Sequence, residues 1–437
     1  MSTTPPRLTR RAWLKHSVGL GLGIAALTAC SGGSSGTSAK PKELILWYEA
    51  ALPFGSLLPD LAQQYNATNP VVPVAAQQQV ELGLKLPVVI GAHDAPHLVI
   101  YKRSQAWPLA SRNATFPLSE LSQRDGVSGT IFQPLAWSGA QHANHTWGMP
   151  LTIDALILLY NKKLFTNVGL DASHAPITWD DMNAACQALH LVKNNQTEQD
   201  GFYAHQDVPL YVWLWMTGGD VLTPDGKAPA FDTPEGQKAL QFVIDNVAAN
   251  GGVQALRELQ VYKAFNEGEQ SLFTKGFLGM IAGNSTLVSR VGRSQVAPQV
   301  GAAPLPHPAD GTATTLADGY YIFSPINSSN PHPEGSWQFM KWLSTTREAQ
   351  TKLATLGVVP ALTAAQQDAA IASALGVQAL LTSLNGARYE QDIQGFQEVD
   401  AGLEQNMQQA VAGKMSRDQA LKDSADRGLK VLKLYSQ

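Results

Sequence analysis

Aromatic residues stand beside small or polar residues at four places near predicted strand ends. These are Trp47-Tyr48-Glu49, Tyr211-Val212-Trp213-Leu214-Trp215, Gly319-Tyr320-Tyr321 and Arg388-Tyr389. An aromatic face stacks on the apolar side of a sugar ring, and carboxylates and amides bond to its hydroxyl groups. The pattern therefore indicates a site for a polyol. On a helix, Tyr211 and Trp215 would be neighbours and Trp213 would point elsewhere, so at least one of these rings belongs to the core.

Asp154 stands in a stretch that is otherwise apolar apart from Thr152, WGMPLTIDALILLYN at residues 147–161. The turn-prone Gly-Met-Pro comes first, and residues 155–160 form a short apolar run, which predicts a buried strand. We predict that the chain crosses between two lobes at residues 150–153. Asp154 is then expected to face the cleft between them.

Sequence signatures of catalysis are absent. The chain has no GxxxxGK[ST], GxSxG, HExxH or CxxC motif. His93 and His97 have the i, i+4 spacing of a helical metal site, but Pro96 breaks any helix between them. We therefore predict no enzymatic activity, no metal and no cofactor. A secreted glycosidase stays open as an alternative, with Asp154 and Glu49 as candidate carboxyl groups across a cleft.

Composition describes a folded, acidic protein. Of 437 residues, 44% are hydrophobic and 15% are charged, as in ordinary globular domains. Without the basic residues of the N-terminal segment (Arg7, Arg10, Arg11 and Lys15), 27 basic residues face 35 acidic ones, a net charge of −8. We therefore expect no nucleic-acid partner. No apolar run of about 18 or more residues follows the N-terminus, so no later segment is expected to span a membrane.

Residues 1–29 have the basic region, apolar region and cleavage motif of an export signal. TRRAWLK at residues 9–15 resembles the twin-arginine signal, and Leu27-Thr28-Ala29-Cys30 resembles a bacterial lipobox. This predicts a lipid on Cys30, with residues 30–40 as anchor and flexible linker. The protein is then expected in the periplasm or on the outer face of the cell membrane, attached through Cys30 only. Cys186 is expected to be a small buried residue.

The body begins with alternating strands and helices. The predicted order is strand 44–47, helix 56–65, strand 71–75, helix 81–90 and strand 97–101. Such alternation predicts an α/β fold in which a mostly parallel sheet is flanked by helices. Further along, Thr178 and Asp232 are expected to cap helices, and residues 277–282 to form a strand. Second and third crossings are predicted at residues 301–306 and 344–345.

Together these segments resemble the family 1 extracellular solute-binding proteins of ABC importers, which include maltose-binding and glycerol-3-phosphate-binding proteins. The resemblance is carried by GMPLTIDALILLYNKKLF from Gly148, TWDDMNAACQAL from Thr178, FTKGFLGMIAGN from Phe273, GAAPLP from Gly301 and SWQFMKWLSTTREAQTKLATLGVVPAL from Ser336. It implies a two-lobe periplasmic-binding-protein (type II) fold in which each lobe is a mostly parallel sheet flanked by helices, with three hinge crossings and closure on a ligand. The implied lobes are residues 41–152 plus 304–344, and residues 153–303 plus 345–437.

The resemblance also implies ligand contacts. Trp47 and Tyr48 follow the first strand, where the family places contacts, and Asp154 falls where maltose binders place a carboxylate. Glu49 belongs to the predicted site as the polar member of the first aromatic cluster. Asn284-Ser285-Thr286 occupies the turn where maltose binders use a stacking Trp. Without that ring, a helix start with free N–H groups favours an anion or a compact polyol. Arg388 lies where glycerol-3-phosphate binders carry an Arg to the phosphate. The predicted site also includes Tyr211, Trp215, Gly319 and Tyr320.

The sequence therefore predicts a monomeric substrate-binding lipoprotein. It would capture a sugar, a polyol, or a glycerol phosphate or phosphodiester, and deliver it to the permease subunits of an ABC importer. The sugar and glycerol-phosphate classes both stay open, as does a purely structural surface lipoprotein.

Overall fold

The structure is a computed structural model that describes residues 43–49, 54–260, 271–326 and 332–435. Cys30 and the predicted signal and linker lie outside these residues. Within the described ranges, no helix is both long enough and apolar enough to cross a bilayer.

Strands and helices alternate along the first part of the chain. They are β1 (Leu44–Glu49), α1 (Leu57–Ala67), β2 (Val74–Gln79), α2 (Leu82–Gly91), β3 (Leu98–Lys102), α3 (Arg103–Ala110), α4 (Ser119–Arg124), α5 (Pro134–Gly139), β4 (Gln141–His142), β5 (His145–Thr146), β6 (Met149–Pro150), β7 (Thr152–Ala155) and β8 (Ile157–Asn161).

The middle of the chain is richer in helices. Its elements are α6 (Lys162–Asn167), α7 (Trp179–Leu189), β9 (Leu191–Lys193), β10 (Gln196–Gln199), α8 (Ala204–Asp207), α9 (Leu210–Met216), α10 (Pro234–Ala249), α11 (Gly252–Gln260), β11 (Met280–Gly283), α12 (Ser285–Gly292) and β12 (Val300–Ala303).

The last part begins with two strands and ends in long helices. Its elements are β13 (Thr315–Asp318), β14 (Tyr320–Phe323), α13 (Pro333–Thr345), α14 (Arg347–Ala354), β15 (Val359–Pro360), α15 (Thr363–Gln366), α16 (Ala369–Ala372), α17 (Val377–Ser383), β16 (Ala387–Arg388), α18 (Phe396–Val411) and α19 (Arg417–Tyr435).

The first lobe is built on a five-stranded sheet in the order β2-β1-β3-β14-β6. β1 runs parallel to β2 and β3, whereas β14 runs antiparallel to β3 and β6. Along β1, Leu44, Leu46 and Tyr48 are buried and alternate with more exposed residues, as the two-residue period of a strand requires. Buried residues of α1 and α13, including Trp337, complete this core.

The second lobe contains the sheet β11-β8-β12, in which β8 is antiparallel to both neighbours and all five of its residues are buried. The expectation of a mostly parallel sheet in each lobe is therefore corrected for this lobe. Its core is aromatic: Trp179 of α7 stacks on Phe242 of α10 with ring centroids 4.2 Å apart, and Trp213 meets Phe242 edge-on. Cys186 is fully buried in the same cluster, as expected.

A four-stranded hinge sheet, β15-β7-β13-β16, lies where the chain passes between the lobes. In chain order, β7 follows strand β6 of the first lobe and precedes strand β8 of the second. Likewise, β13 follows strand β12 of the second lobe and precedes strand β14 of the first. The third passage lies between α14, which packs on α1 and α13, and α17, which packs on β8 and β12. The two-lobe α/β fold expected from the sequence is therefore confirmed.

We propose that the second and third crossings lie later in the chain than the sequence pattern indicated. Residues 301–303 belong to β12, and His307 and Thr312 still bond to second-lobe residues Ile177 and Met216. Beyond residues 344–345, α14 still packs on first-lobe helices. We therefore propose lobe boundaries at Thr315 and between α14 and α17, in place of residues 304 and 345.

Several predicted element ends differ from those in the structure, where side-chain caps and backbone turns define them. The strand expected at residues 71–75 begins at Val74, whose N–H and carbonyl both bond to the Asn66 side chain. The strand expected at residues 277–282 begins at Met280, because Phe277 closes a turn onto Leu272. The helix expected to be capped by Asp232 is capped by Thr233. The strand expected at residues 155–160 is divided at Leu156 between β7 and β8.

Candidate functional site

A cleft of about 500 Å³ lies between the two lobes. From the first lobe, Glu49 and Lys102 stand at the ends of the parallel strands β1 and β3, and Tyr320 of β14 is the register partner of Lys102. The ends of such strands are the usual ligand sites of open α/β sheets. The remaining lining residues are Gln105, Leu156, Gln206, Asp207, Ala282, Gly283, Asn284, Thr286, Leu287 and Arg290.

The charged groups of the cleft balance. Lys102 and Arg290 supply two cations, and Glu49 and Asp207 supply two carboxylates. In the described part of the chain, Lys102, Arg290 and Glu49 form no ion pair within 4.0 Å. The amides of Gln105, Gln206 and Asn284 add neutral donors and acceptors. This lining suits a ligand that has many hydroxyl groups, because a hydroxyl both donates and accepts hydrogen bonds.

A second cavity, of about 310 Å³, lies beyond the start of α3. Lys102 and Gln105 line the cleft, whereas Arg103, Ser104 and Trp107 line this second cavity. Several of its polar lining groups are already paired: Arg103 Nη1 donates to Asp392 Oδ1 at 3.1 Å, and Glu390 Oε1 accepts from the Tyr211 hydroxyl at 2.8 Å. The cleft is therefore the better candidate site, because its polar side chains are more available to a solute.

Asp154 lies in the wall behind the cleft and does not line it. Ser285 donates to it twice, from its backbone N–H and from its hydroxyl, at 2.8 Å each. Burial raises the pKa of Asp154 to about 6, although the Ser285 hydrogen bonds act in the opposite direction. The carboxylate thus fixes the start of α12, where Asn284 caps the helix by accepting from Leu287 N–H at 3.3 Å.

Three of the residues predicted to contact a ligand line the cleft, namely Glu49, Asn284 and Tyr320. Ser285 lies beside them and is bonded to Asp154. Gly319 lies at the turn between β13 and β14, where a Cβ would come within 2.3 Å of the Thr152 carbonyl oxygen. Its position is therefore explained by backbone packing.

Trp47 and Tyr48 line neither cavity. The Trp47 indole donates to Gln77 Oε1 at 3.3 Å, and the buried Tyr48 hydroxyl donates to the Gly55 carbonyl at 2.9 Å. Both side chains are directed by the alternation of β1, in which only the last residue, Glu49, reaches the cleft.

The aromatic pair of α9 lies outside the lining of the cleft. Tyr211 and Trp215 are 2% and 3% exposed, with ring centroids 4.9 Å apart, and they lie on a different face from Trp213, as expected. Arg388 pairs with Asp220, and its guanidinium lies 4.7 Å from the centroid of the Trp215 ring. In this structure all three are engaged with protein groups, and none of them lines the cleft.

Several cleft residues were not predicted. Lys102 could have been found, because it follows directly after the third predicted strand of a parallel sheet. Gln206 and Asp207 come from the four-residue helix α8, and Arg290 from the second turn of α12. No local pattern marks these three, since they reach the cleft only through the packing of α8 and α12 against β11.

Two lobes joined by three crossings around a polar cleft define a two-lobe binding protein. A family profile described as bacterial extracellular solute-binding protein matches residues 52–350. The chain belongs to this family, which confirms the resemblance found in the sequence. The family consists of binding proteins, in agreement with the prediction of no enzymatic activity.

Sequence relatives agree with this membership. A Brucella abortus (strain 2308) chain named only as a binding protein is 26% identical over 296 residues, 66% of this chain and 68% of that one. A maltotriose-binding protein of Pyrococcus abyssi is 22% identical over 339 residues, 75% of this chain and 68% of its own.

Two solved structures show the same fold. A binding protein with mannotriose bound superposes with a TM-score of 0.75 at 22% identity, over 88% of this chain and 99% of that one. The cyclic alpha-maltosyl-1,6-maltose binding protein of Arthrobacter globiformis gives a TM-score of 0.74 at 23% identity, over 90% of this chain and 99% of that one. These similarities support the type II two-lobe architecture.

Proposed function

We propose that the protein is the substrate-binding component of an ABC importer and that its solute is a carbohydrate bound in the cleft. The observation that carries this proposal is the charge-balanced, hydroxyl-compatible lining between the lobes, with Glu49, Lys102, Asp207 and Arg290 around a volume of about 500 Å³. The same class of solute is supported by a relative that is named for binding maltotriose. It is also supported by similar structures of proteins that bind mannotriose or cyclic alpha-maltosyl-1,6-maltose.

A carbohydrate is favoured over a glycerol phosphate. Arg388, the residue expected to hold a phosphate, is paired with Asp220 and covered on one side by Trp215. The cations of the cleft are offset by Glu49 and Asp207, so the lining has no net positive charge to select an anion. Glycerol 3-phosphate stays as the second candidate because Lys102 and Arg290 form no ion pair among the described residues.

The proposed solute is compact. Among the described residues that line the cleft, Tyr320 is the only aromatic one, and it is 7% exposed. A long glucan would need wider stacking surfaces. The same proposal includes export, a lipid on Cys30, delivery to permease subunits and a monomeric state.

Calorimetric titration with maltose, maltotriose, mannobiose and glycerol 3-phosphate tests the proposal. We expect a saccharide to bind, and Glu49→Gln to weaken it by about 10- to 100-fold, because a hydrogen bond to a charged group contributes about 1.5–3 kcal/mol. Glu120→Gln is the matched control, since Glu120 is exposed on α4 and lines neither cavity. Binding of glycerol 3-phosphate alone would select the second candidate, and no heat with any of these solutes would contradict both.

A further inference from the structure

Two aspartates of the hinge sheet occupy directly opposed positions. Asp154 of β7 and Asp318 of β13 are register partners in an antiparallel strand pair. Like charges at such positions repel each other. Each carboxylate also accepts the N–H of the next residue: Ala155 N–H at 3.0 Å for Asp154, and Gly319 N–H at 2.9 Å for Asp318. The placement of two carboxylates here therefore calls for an explanation.

Each aspartate holds a serine at the start of a helix. Asp154 accepts the backbone N–H and the hydroxyl of Ser285, the first residue of α12. Asp318 accepts the backbone N–H of Ser104 at 3.4 Å and its hydroxyl at 3.0 Å, and Ser104 is the second residue of α3. A carboxylate at a helix N-terminus is stabilised by the unpaired N–H groups there. The same contact is thus made twice, once on each side of the hinge.

The two helices belong to different lobes and both border the cleft. α3 packs on β3 and β14 of the first lobe, whereas α12 packs on β11 of the second. Next to Ser104, Lys102 and Gln105 line the cleft, and next to Ser285, Asn284 and Thr286 line it. A shift of either serine would therefore move cleft residues of its lobe.

We propose that Asp154 and Asp318 are paired positioning residues, which fix both walls of the cleft to the hinge strands through Ser285 and Ser104. Asp154 then acts on the ligand through α12, without contacting the ligand. This inference rests on the proposed function of the cleft for its effect on affinity, but the anchoring of the helices is measurable without a ligand.

The surroundings of Asp154 define what a pH titration would report. Besides burial, the charge of Asp318 of β13 raises the pKa of Asp154, and Asp154 in turn raises the pKa of the buried Tyr320 hydroxyl of β14. α12 presents the uncharged Ser285 to it, and the charged groups of the adjacent cleft are Glu49, Lys102, Asp207 and Arg290. Protonation of Asp154 near pH 6 would remove its charge from the helix start.

The test compares Asp154→Asn, Asp318→Asn and the milder Ser285→Ala with wild type. Hydrogen exchange of the unliganded proteins, corrected for the intrinsic rate at each pH, reports helix anchoring. We expect faster exchange at the start of α12 in Asp154→Asn and at the start of α3 in Asp318→Asn. Asp171→Asn is the matched control. Asp171 also accepts hydrogen bonds from the backbone N–H and the hydroxyl of a serine, Ser173, but it lies on an exposed loop and lines neither cavity.

Titration with maltotriose and mannobiose between pH 5.0 and 7.5 tests the effect on binding. We expect Asp154→Asn to bind about tenfold more weakly at pH 7.5. Wild-type affinity should fall toward pH 5.0, whereas Asp154→Asn should show no such fall. Unchanged exchange at α12 in both Asp154→Asn and Ser285→Ala, or the wild-type pH profile in Asp154→Asn, would overturn the inference. If neither sugar binds the wild type, the proposed function fails for these sugars, and exchange still decides the anchoring.

Discussion

Three carboxyl groups, those of Glu390, Asp400 and Glu404, lie close together beside α9 in the second lobe. Glu390 accepts the Tyr211 hydroxyl, Glu404 accepts the Leu210 N–H at 2.6 Å, and Asp400 Oδ1 has no hydrogen-bond partner among the described residues. Burial, together with the charges of Glu404 and Glu390, raises the pKa of Asp400 to about 8. Burial also raises the pKa of Glu404 to about 6. At neutral pH, Asp400 is therefore mostly protonated in the folded protein.

This cluster should make stability fall as the pH rises. The ordinary pKa of an Asp is about 4, so between about pH 4 and pH 8 the folded state holds a proton that the unfolded state has released. We expect Asp400→Asn to remove this dependence. Its free energy of unfolding, relative to wild type, should increase by roughly 2–4 kcal/mol from pH 5 to pH 8 in urea denaturation.

Asp426→Asn is the control for this measurement, because Asp426 is exposed on α19. Its stability should follow the wild-type pH dependence. If Asp400→Asn also follows the wild-type curve over this range, Asp400 is ionised in the folded protein and the expected proton uptake does not occur.

At the scale of single elements, α7 shows how local sequence defines a helix start. Thr178 Oγ1 accepts from Asp181 N–H at 3.1 Å, and Asp181 Oδ2 accepts from Thr178 N–H at 2.9 Å. This reciprocal capping box satisfies backbone donors that would otherwise lack partners. The helix in turn buries Trp179 and Cys186 in the aromatic core.

We expect Thr178→Ala to destabilise the protein by about 1 kcal/mol, the usual cost of losing an N-cap side chain. Thr178→Ser, which keeps the hydroxyl, should retain most of the stability. Thermal unfolding followed by circular dichroism distinguishes the two variants. Equal losses in both would assign the effect to the Thr178 methyl group instead of the cap.

Elements whose ends are defined by neighbouring residues could be predicted, and those defined by tertiary contacts could not. The capping box at Thr178 and the helix start at Ser285 follow from local side-chain chemistry. The start of β2 depends on Asn66, eight residues earlier, and the second crossing depends on bonds from residues 307–312 to the second lobe. A pattern in a short window contains neither contact.

The same distinction applies to the site. Glu49 and Asn284 could be identified from the sequence, because the end of an apolar strand and the capping residue of a helix each have a recognisable local pattern. Asp154 lies in the hinge strand β7, and its partner Ser285 is 131 residues away, so its engagement by α12 was not evident from the sequence. Arg388 was expected to contact a phosphate, and Asp220, 168 residues away, pairs with it.

At the scale of the whole molecule, residues 387–392 form a bridging segment between the lobes. Arg388, Glu390 and Gln391 bond to the second lobe, at Asp220, Tyr211 and the Leu222 backbone. Two other residues of the segment, Tyr389 and Asp392, bond to the first lobe. The Tyr389 hydroxyl donates to the Leu135 carbonyl at 2.9 Å, and Asp392 pairs with Arg103.

Arg103 makes the first-lobe side of this bridge strong. Its side chain is 6% exposed, and its guanidinium lies 3.9 Å from the centroid of the Tyr389 ring. Its Nε also donates to the Gly139 carbonyl at 3.3 Å. A buried guanidinium that loses its carboxylate partner is strongly unfavourable. Rotation of the lobes away from each other would therefore have to break these contacts or carry the segment with the first lobe.

We expect the double variant Tyr389→Phe with Asp392→Ala to shift the unliganded protein toward more open conformations. Its radius of gyration in small-angle X-ray scattering should exceed that of wild type without sugar, and its affinity for a bound saccharide should fall, because a smaller fraction is ready to bind. Asp310→Ala, which removes an exposed pair with Lys238, should change neither quantity. Near-ultraviolet circular dichroism should first establish that the double variant is folded. An unchanged radius of gyration in a folded double variant would show that the bridging segment does not hold the lobes together.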